Sequence, residues 1–485
     1  MIKSIINKCL VASILAACVW SCAPDLTTTK TENTDSLPDT FTGSQDSTNT
    51  AQVTWQEYFG DPYLTALIDT ALHNNQELNI MLQEIEIARF EVRAKKGEYL
   101  PSVSIGAGGG VEKVGRYTPQ GASEATTDIK PGKAMPDPVP DIGLGAYATW
   151  EIDIWKKLRN AKKAAVKRYL ASIDGKNFMV TNLISDIASA YYELLALDNE
   201  LAIVQQNIEI QTNALEIVKQ QQLASRITSL PVRKFEAEVL STKSLQYGIQ
   251  QQIIEKENEI NYLVGRYPQP IERNAEVFKD LVPGLIYAGI PAQMLANRPD
   301  IRQAELELEA AKLDIKVAKA RFYPSVGITA GIGFQAFNPK YLIKSPESLL
   351  YSLAGDISAP LINRNAIKAT YFSANAKQIQ AVYNYEQAIL KGYIDVINQL
   401  SNISNLEQSY SLKEQEVEAL NQSIVIANDL FKSARADYME VLMTQRDALH
   451  SRFELVETKI QQLNAKVNIY QALGGGWTYE DVTTE

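Results

Sequence analysis

The stretch "DIGLGAYATWEIDIW", residues 141–155, decides how this chain is built. From Ile142 to Ile154 two sets of residues alternate without interruption. One set is Ile142, Leu144, Ala146, Ala148, Trp150, Ile152 and Ile154; the other is Gly143, Gly145, Tyr147, Thr149, Glu151 and Asp153. A period of two over such a length predicts a β-strand with one apolar face and one polar or small face. Soluble sheets alternate too, but a packed core needs volume, and these strands carry glycine along one side. A membrane-spanning strand needs about 9–11 residues, apolar toward lipid and polar or small toward a water-filled lumen. That is the better match.

Outward from this strand the pattern returns. In "FYPSVGITAGIGF" (322–334), Val326, Ile328, Ala330, Ile332 and Phe334 alternate with Gly327, Thr329, Gly331 and Gly333. "YLPSVSIGAGGGV" (99–111) opens on the same Pro-Ser-Val, and "SLLYSLAGDISAP" (348–360) completes a set of four. The predicted strands are about 101–114, 141–154, 324–336 and 348–360. Four strands cannot close a wide barrel, and an open edge in hydrocarbon leaves backbone groups unsatisfied. Other copies of the chain must pair those edges. Three copies would give twelve strands, a count that the sequence does not itself supply.

The echo extends to whole halves. Residues 55–265 and 298–474 each read as helix, strand, polar loop, strand and two long helices, joined by a connection at 266–297 and followed by a tail at 475–485. Within the first closing pair an apolar residue recurs every seventh position: Ile187, Leu194, Leu201, Ile208 and Leu215. Ala190, Leu197, Val204 and Val218 interleave, and Gln211 is the exception. The second half repeats this with Leu442, Leu449, Val456, Leu463 and Tyr470. A sustained heptad means supercoiled helices. The run from about Leu158 to about Ser225 has no proline, and at 1.5 Å per residue it would be on the order of 100 Å long. It is too polar to cross a membrane.

The N-terminus "MIKSIINKCLVASILAACVWSCAP" has basic Lys3 and Lys8 before a short apolar core. That core is shorter than the ~20 residues a spanning helix requires, so residues 1–21 read as a secretory signal peptide. Val19, Trp20, Ser21 and Cys22 resemble a lipobox, which makes Cys22 the candidate lipid anchor; an ordinary signal peptide with an incidental cysteine is the plainer alternative. Residues 22–54 are polar and rich in Thr, Ser and Asp, and they read as a flexible linker. Cys9 and Cys18 fall inside the removed segment, so no disulfide is expected in the mature chain.

A net charge of −10 gives no footprint for nucleic acid. The two histidines, His73 and His450, have no carboxylate or cysteine cluster beside them, so neither metal nor cofactor is expected. No nucleophile–base set supports an enzyme. A lipid-anchored periplasmic coiled-coil adaptor or scaffold without a pore would share the helices and the anchor, but not four alternating strands.

The blocks "WQEYFGDPYLTALIDTALHNN", "WEIDIWKKLRNAKKAA", "ASAYYELLALDNELAI", "LANRPDIRQAELELEAAKLDIKVAKARFYPSVGITAGIGF" and "YQALGGGW" run through nearly all of the mature chain. Together they resemble TolC-type outer-membrane efflux channels, in the lipoprotein branch called NodT-like. The resemblance implies an α+β membrane protein: a homotrimer with a twelve-stranded outer-membrane β-barrel, four strands per protomer, continued by a periplasmic α-helical barrel. It further implies a periplasmic adaptor and an inner-membrane pump of the RND type as partners in efflux. Two departures stand out. The family has Gly after the tryptophan of the second strand, where this chain has Lys156, and Gly in each helical tip, where Ser225 and Ala434 align.

In a channel the working residues are those that gate or select. The narrow point is expected at the helix-pair turns "QQLASRITSLPV" and "LFKSARADYMEV". Aligning Gly265 with Gly474 pairs Arg226 with Arg435 and Thr228 with Asp437. Rings of such residues hold a pore closed or set its ion preference. Arg226, Thr228, Arg435, Asp437 and Tyr438 are therefore the gate candidates, with solvated turn residues as the bland alternative. Glu151, Asp153 and Asp356, at the strand ends, are the lumen-charge candidates. Pro299 and Asp300 suit a helix start, and the arginine before them is read as structural.

Overall fold

The computed structural model describes Pro24, Leu26 and residues 37–41, 48–279, 281, 287–362, 364–433 and 435–477. Cys22, the signal segment, Ala434 and the last eight residues lie outside the described residues. The principal helices are α1 (Pro62–Asn74), α2 (Gln76–Tyr99), α3 (Lys157–Leu223), α4 (Ser229–Val264), α5 (Pro299–Ala320), α6 (Asn365–Lys432) and α7 (Tyr438–Ala472). Four long strands lie among them, β1 (Ser102–Glu112), β2 (Val139–Ile152), β3 (Ser325–Ala336) and β4 (Leu349–Ser358), and a short two-stranded ribbon, Asp128–Lys130 with Lys133–Ala134, lies in the connection between β1 and β2. Two compact units result. One is built from Glu86–Leu170 and Leu306–Val382, the other from Ala171–Glu305 and Tyr383–Glu485, each with part of the N-terminal region.

The first unit carries an antiparallel sheet in the order β1-β2-β3-β4. β1–β2 and β3–β4 are hairpins, and β2–β3 joins them across eleven paired residues from Ile142↔Ala336 to Ile152↔Val326. β1 and β4 form the two edges, and each pairs on one side only among the described residues.

The second unit is a helical bundle. Its core forms where the heptad positions of α3 meet α1, α4 and α7: Ile187, Tyr191 and Leu194 pack with Leu64, Ile68, Ile260, Val264 and Val467. Fully burying a side chain of this size stabilises by about 1.5–3 kcal/mol, so the seam is ample to hold the helices in register. Aromatic contacts lock one end: Tyr58 stacks on Tyr470 at 4.2 Å and donates to the Lys466 carbonyl at 2.7 Å. Asp61 caps α1 by accepting from the amides of Tyr63 and Leu64, and its other oxygen accepts from the Tyr191 hydroxyl. Arg273 ties α3 to α4 through Asp198 and Glu257.

Pro299 opens α5, as expected, and Arg298 is buried, with two nitrogens on the Asp300 carboxylate and a third donating to the Ala472 carbonyl. Gly474, at φ 85°, follows the end of α7; a Cβ there would stand 2.4 Å from the Asn297 carbonyl oxygen. Arg298 thus fastens the start of α5 to the end of α7.

The two departures from the family pattern have a backbone consequence. Lys156 and Ser225, both at φ 58°, are the non-glycine residues with positive φ among those described. At Ser225 the ladder closes as a Schellman motif: Ser225 N–H donates to Gln222 O at 2.8 Å and Arg226 N–H to Gln221 O at 3.0 Å. A left-handed residue with a Cβ costs about 1–2 kcal/mol, part of which glycine loses again through its freer unfolded chain. Ser225→Gly is therefore expected to stabilise the bundle by about 0.5–1 kcal/mol, read as a raised thermal midpoint; a lowered midpoint would contradict this reading of the turn.

Candidate functional site: a two-faced sheet and paired helix turns

The sheet has two unlike faces. Cross-strand partners share a side, so Val103, Ile105, Trp150, Ile332, Tyr351, Leu353 and Ile357 lie on one face. They are large, apolar and exposed: Ile105 is 81% exposed, Tyr351 80% and Leu353 79%. The other face carries Ser102, Ser104, Thr149, Thr329, Ser352 and most of the strand glycines, among them Gly106, Gly145, Gly327, Gly331 and Gly333. On it Ser102 Oγ lies 2.7 Å from Thr149 Oγ1.

The glycine positions have a more specific use than an empty lumen wall. The Tyr147 ring lies over Gly331, where an added Cβ would approach it to 3.2 Å, and beside Gly106. At Gly327 a Cβ would stand 2.5 Å from Asp356 Oδ1, so its absence makes room for that carboxylate. Alternation placed Tyr147 on this face but not its ring over Gly331 and beside Gly106. Asp141, which the sequence reading did not single out, accepts from Gln335 Nε2 with both oxygens on this same face.

The three lumen-charge candidates fare differently. Asp356 stands on the glycine face without an ion pair among the described residues. Glu151 is on that face but pairs with Lys157 at 2.5 Å. Asp153 departs from expectation: β2 ends at Ile152, and the Asp153 side chain is 2% exposed. It turns inward to accept from the amides of Leu158 and Arg159, both at 3.0 Å, and pairs with the Arg159 guanidinium at 3.1 Å. Four unpaired amides at a helix start demand such an acceptor, and that demand outweighs continued alternation. Nearby, Trp150 Nε1 donates to the Tyr99 carbonyl, and Trp155 stacks on Tyr323 while donating to the Pro324 carbonyl. Aromatic rings with a polar tip at strand ends are typical of a membrane interface.

The gate candidates occupy two turns that share one apolar cluster. Leu215, Val218, Val232, Phe235 and Val239 of the first helix pair pack with Val441 of the second, and Ile227, Phe431, Tyr438 and Leu442 pack against them. Tyr438 thus belongs to the packing of the tips. Thr228 and Asp437 are the N-cap residues of α4 and α7, and neither side chain makes a capping hydrogen bond. Arg226, Arg435 and Asp437 are exposed and have no ion-pair partner among the described residues.

Between this cluster and the main bundle core the seam turns polar. Gln211 on α3 and Gln445 on α7 are each 1% exposed, and among the described residues no group bonds either end of either amide. Asn207 and Ser451 add further buried polar atoms of the same kind. Gln211 is the heptad exception visible in the sequence; Gln445 had no such signal. Higher in α3, burial and the nearby Glu457 carboxylate push Glu200 up to about 7.

A family model described as "Outer membrane efflux protein" matches residues 67–266 and 290–475. The chain belongs to this family. Among curated proteins it is 26% identical over 435 residues to the pyoverdine export outer membrane protein OpmQ of Pseudomonas aeruginosa, covering 90% of this chain and 89% of OpmQ. It is 24% identical to a Salmonella typhimurium protein named "Probable outer membrane lipoprotein SilC", covering 96% of this chain and 97% of that one. Among solved structures the fold matches CusC (TM-score 0.79, 24% identity, 93% of this chain and 99% of that one). It also matches the open state of the Neisseria gonorrhoeae MtrE channel (TM-score 0.80, 23% identity, 94% and 98%). The chain is thus an outer-membrane efflux protein with the fold of known outer-membrane channels. No described helix is long and apolar enough to cross a membrane.

Two stability measurements follow. The folded chain keeps on Glu200 a proton that the unfolded chain releases near pH 4.5, so stability falls as pH rises from about 4.5 to about 7. Glu200→Gln should flatten that slope in thermal unfolding, and an unchanged slope would contradict it. Gln211→Leu with Gln445→Leu should raise the thermal midpoint, because a buried amide without a protein partner costs about 1–3 kcal/mol.

Proposed function

We propose that three copies of this chain pair their sheet edges into one twelve-stranded barrel continued by a helical barrel. The assembly passively conducts substrates handed over by a periplasmic adaptor and an inner-membrane pump of the RND type. Cys22 carries the acyl anchor in this reading, and no bond is made or broken in transport. Residues 55–265 and 298–474 are two copies of one structural plan, each supplying a hairpin and a helix pair.

One observation supports this above the rest: a four-stranded sheet with an exposed apolar face, a polar glycine-bearing face and two open edges. In hydrocarbon those edges require partners, and identical copies offer complementary ones, β1 against β4. A pore-free scaffold would leave this sheet unexplained.

The helix-pair turns form the resting closure. Thr228 and Asp437 keep their side chains free of capping duty, so with Arg226 and Arg435 they are available to bond neighbouring copies around the axis. Tyr438 braces the turn from within. Asp356 and, less strongly because of Lys157, Glu151 give the barrel mouth a preference for cations; Asp153, held by Arg159, sets the helix start rather than the field.

In planar bilayers the wild-type chain should conduct poorly, and Arg435→Ala with Asp437→Ala should raise single-channel conductance about twofold or more. Equal conductance would remove these residues from the closure. The absence of any channel from refolded, trimer-sized protein would overturn the pore itself.

A further inference from the structure

A chain with net charge −10 concentrates cations in one groove of its sheet-bearing unit. Lys156, Lys162 and Lys163 from the start of α3 face Lys312 and Lys316 of α5 across a groove of about 840 Å³. None of these five has an ion-pair partner among the described residues. Arg159 and Lys167 also line it, but Asp153 and Glu309 answer their charges.

The position of the groove says what it meets. Tyr99 forms part of its wall, and the Tyr99 carbonyl accepts from Trp150, a member of the apolar face. Glu151, on the glycine face, opens instead onto a different groove with Lys95, Glu98 and Lys157. The lysines therefore lie on the apolar side, just past the strand ends and their aromatic residues. They also lie between the helices contiguous with the two inner strands, α3 after β2 and α5 before β3, whereas a second copy would join at the outer edges, β1 and β4. From its start to Lys163 α3 rises about 9 Å, comparable with a headgroup layer of about 5–8 Å.

We propose that this groove binds the phosphate headgroups of anionic phospholipids in the leaflet beside the helix-side end of the sheet. The inference rests on the reading that the apolar face lies in a membrane. An anionic surface attracts each lysine held beside it, and the flexible stem lets the ammonium reach the phosphate while the methylenes stay on apolar surface.

The test uses the full chain in detergent, titrated with phosphatidylglycerol or phosphatidylcholine, with bound lipid counted by native mass spectrometry. The wild type should retain phosphatidylglycerol preferentially. Replacing Lys162, Lys163, Lys312 and Lys316 by Gln should weaken that preference by about tenfold or more. Replacing the exposed Lys219, Lys234, Lys243 and Lys432 by Gln should leave it intact. Equal loss in both sets, or no preference in the wild type, overturns the proposal. Excess inorganic phosphate should not displace the lipid; full displacement would make this a free-phosphate site and overturn the assignment to lipid. Insertion of the wild type into phosphatidylcholine vesicles separates the two levels. A chain that inserts without a headgroup preference defeats this inference alone, while one that inserts into no bilayer defeats the membrane reading beneath it.

Discussion

Backbone hydrogen bonding at the edges of the sheet is the constraint on which the rest depends. β1 and β4 each leave one side of their ladder unpaired among the described residues, and the face between them is apolar and exposed. Water would satisfy the edges but not the face; hydrocarbon would satisfy the face but not the edges. Only association resolves both demands together. In the proposed trimer β1 of one copy pairs with β4 of the next, which turns a four-stranded sheet into a wall without edges.

The helical unit solves a different problem. Its main core is dense and aromatic around Tyr191, Tyr192 and Tyr470, and a smaller cluster gathers the two turns. Between them Gln211 and Gln445 interrupt the apolar seam. A gate must be held shut without being fused to its support. In the proposed channel, a polar break between a strong core and a weaker tip cluster provides that separation, because the turns can repack without unpicking the main seam.

Much of this was legible in the sequence, for identifiable reasons. Strict alternation from Ile142 to Ile152 has a single backbone solution, so the strand and its two unlike faces followed from residue size alone. The heptad of α3 was equally plain, and its extent followed from a proline-free run that ends in turn residues. Asp153 was misplaced because alternation carries no information about where a strand stops, and the unpaired amides of α3 competed for that carboxylate and won. The Tyr147 ring over Gly331 and the pairing of Glu151 with Lys157 are contacts between side chains whose spacing reveals nothing by itself. Lys156 and Ser225 were visible as departures from a glycine pattern, and the structure gives their physical meaning as left-handed backbone.

The most direct test of the central claim is the accessibility of consecutive positions along β4, where the two faces alternate most openly. Single cysteines at Tyr351, Ser352, Leu353 and Ala354, introduced into the chain reconstituted in vesicles, would be treated with a membrane-impermeant thiol reagent and compared with the parent chain. The account predicts that Ser352→Cys and Ala354→Cys are labelled while Tyr351→Cys and Leu353→Cys are shielded by lipid. Uniform labelling of all four positions would contradict it.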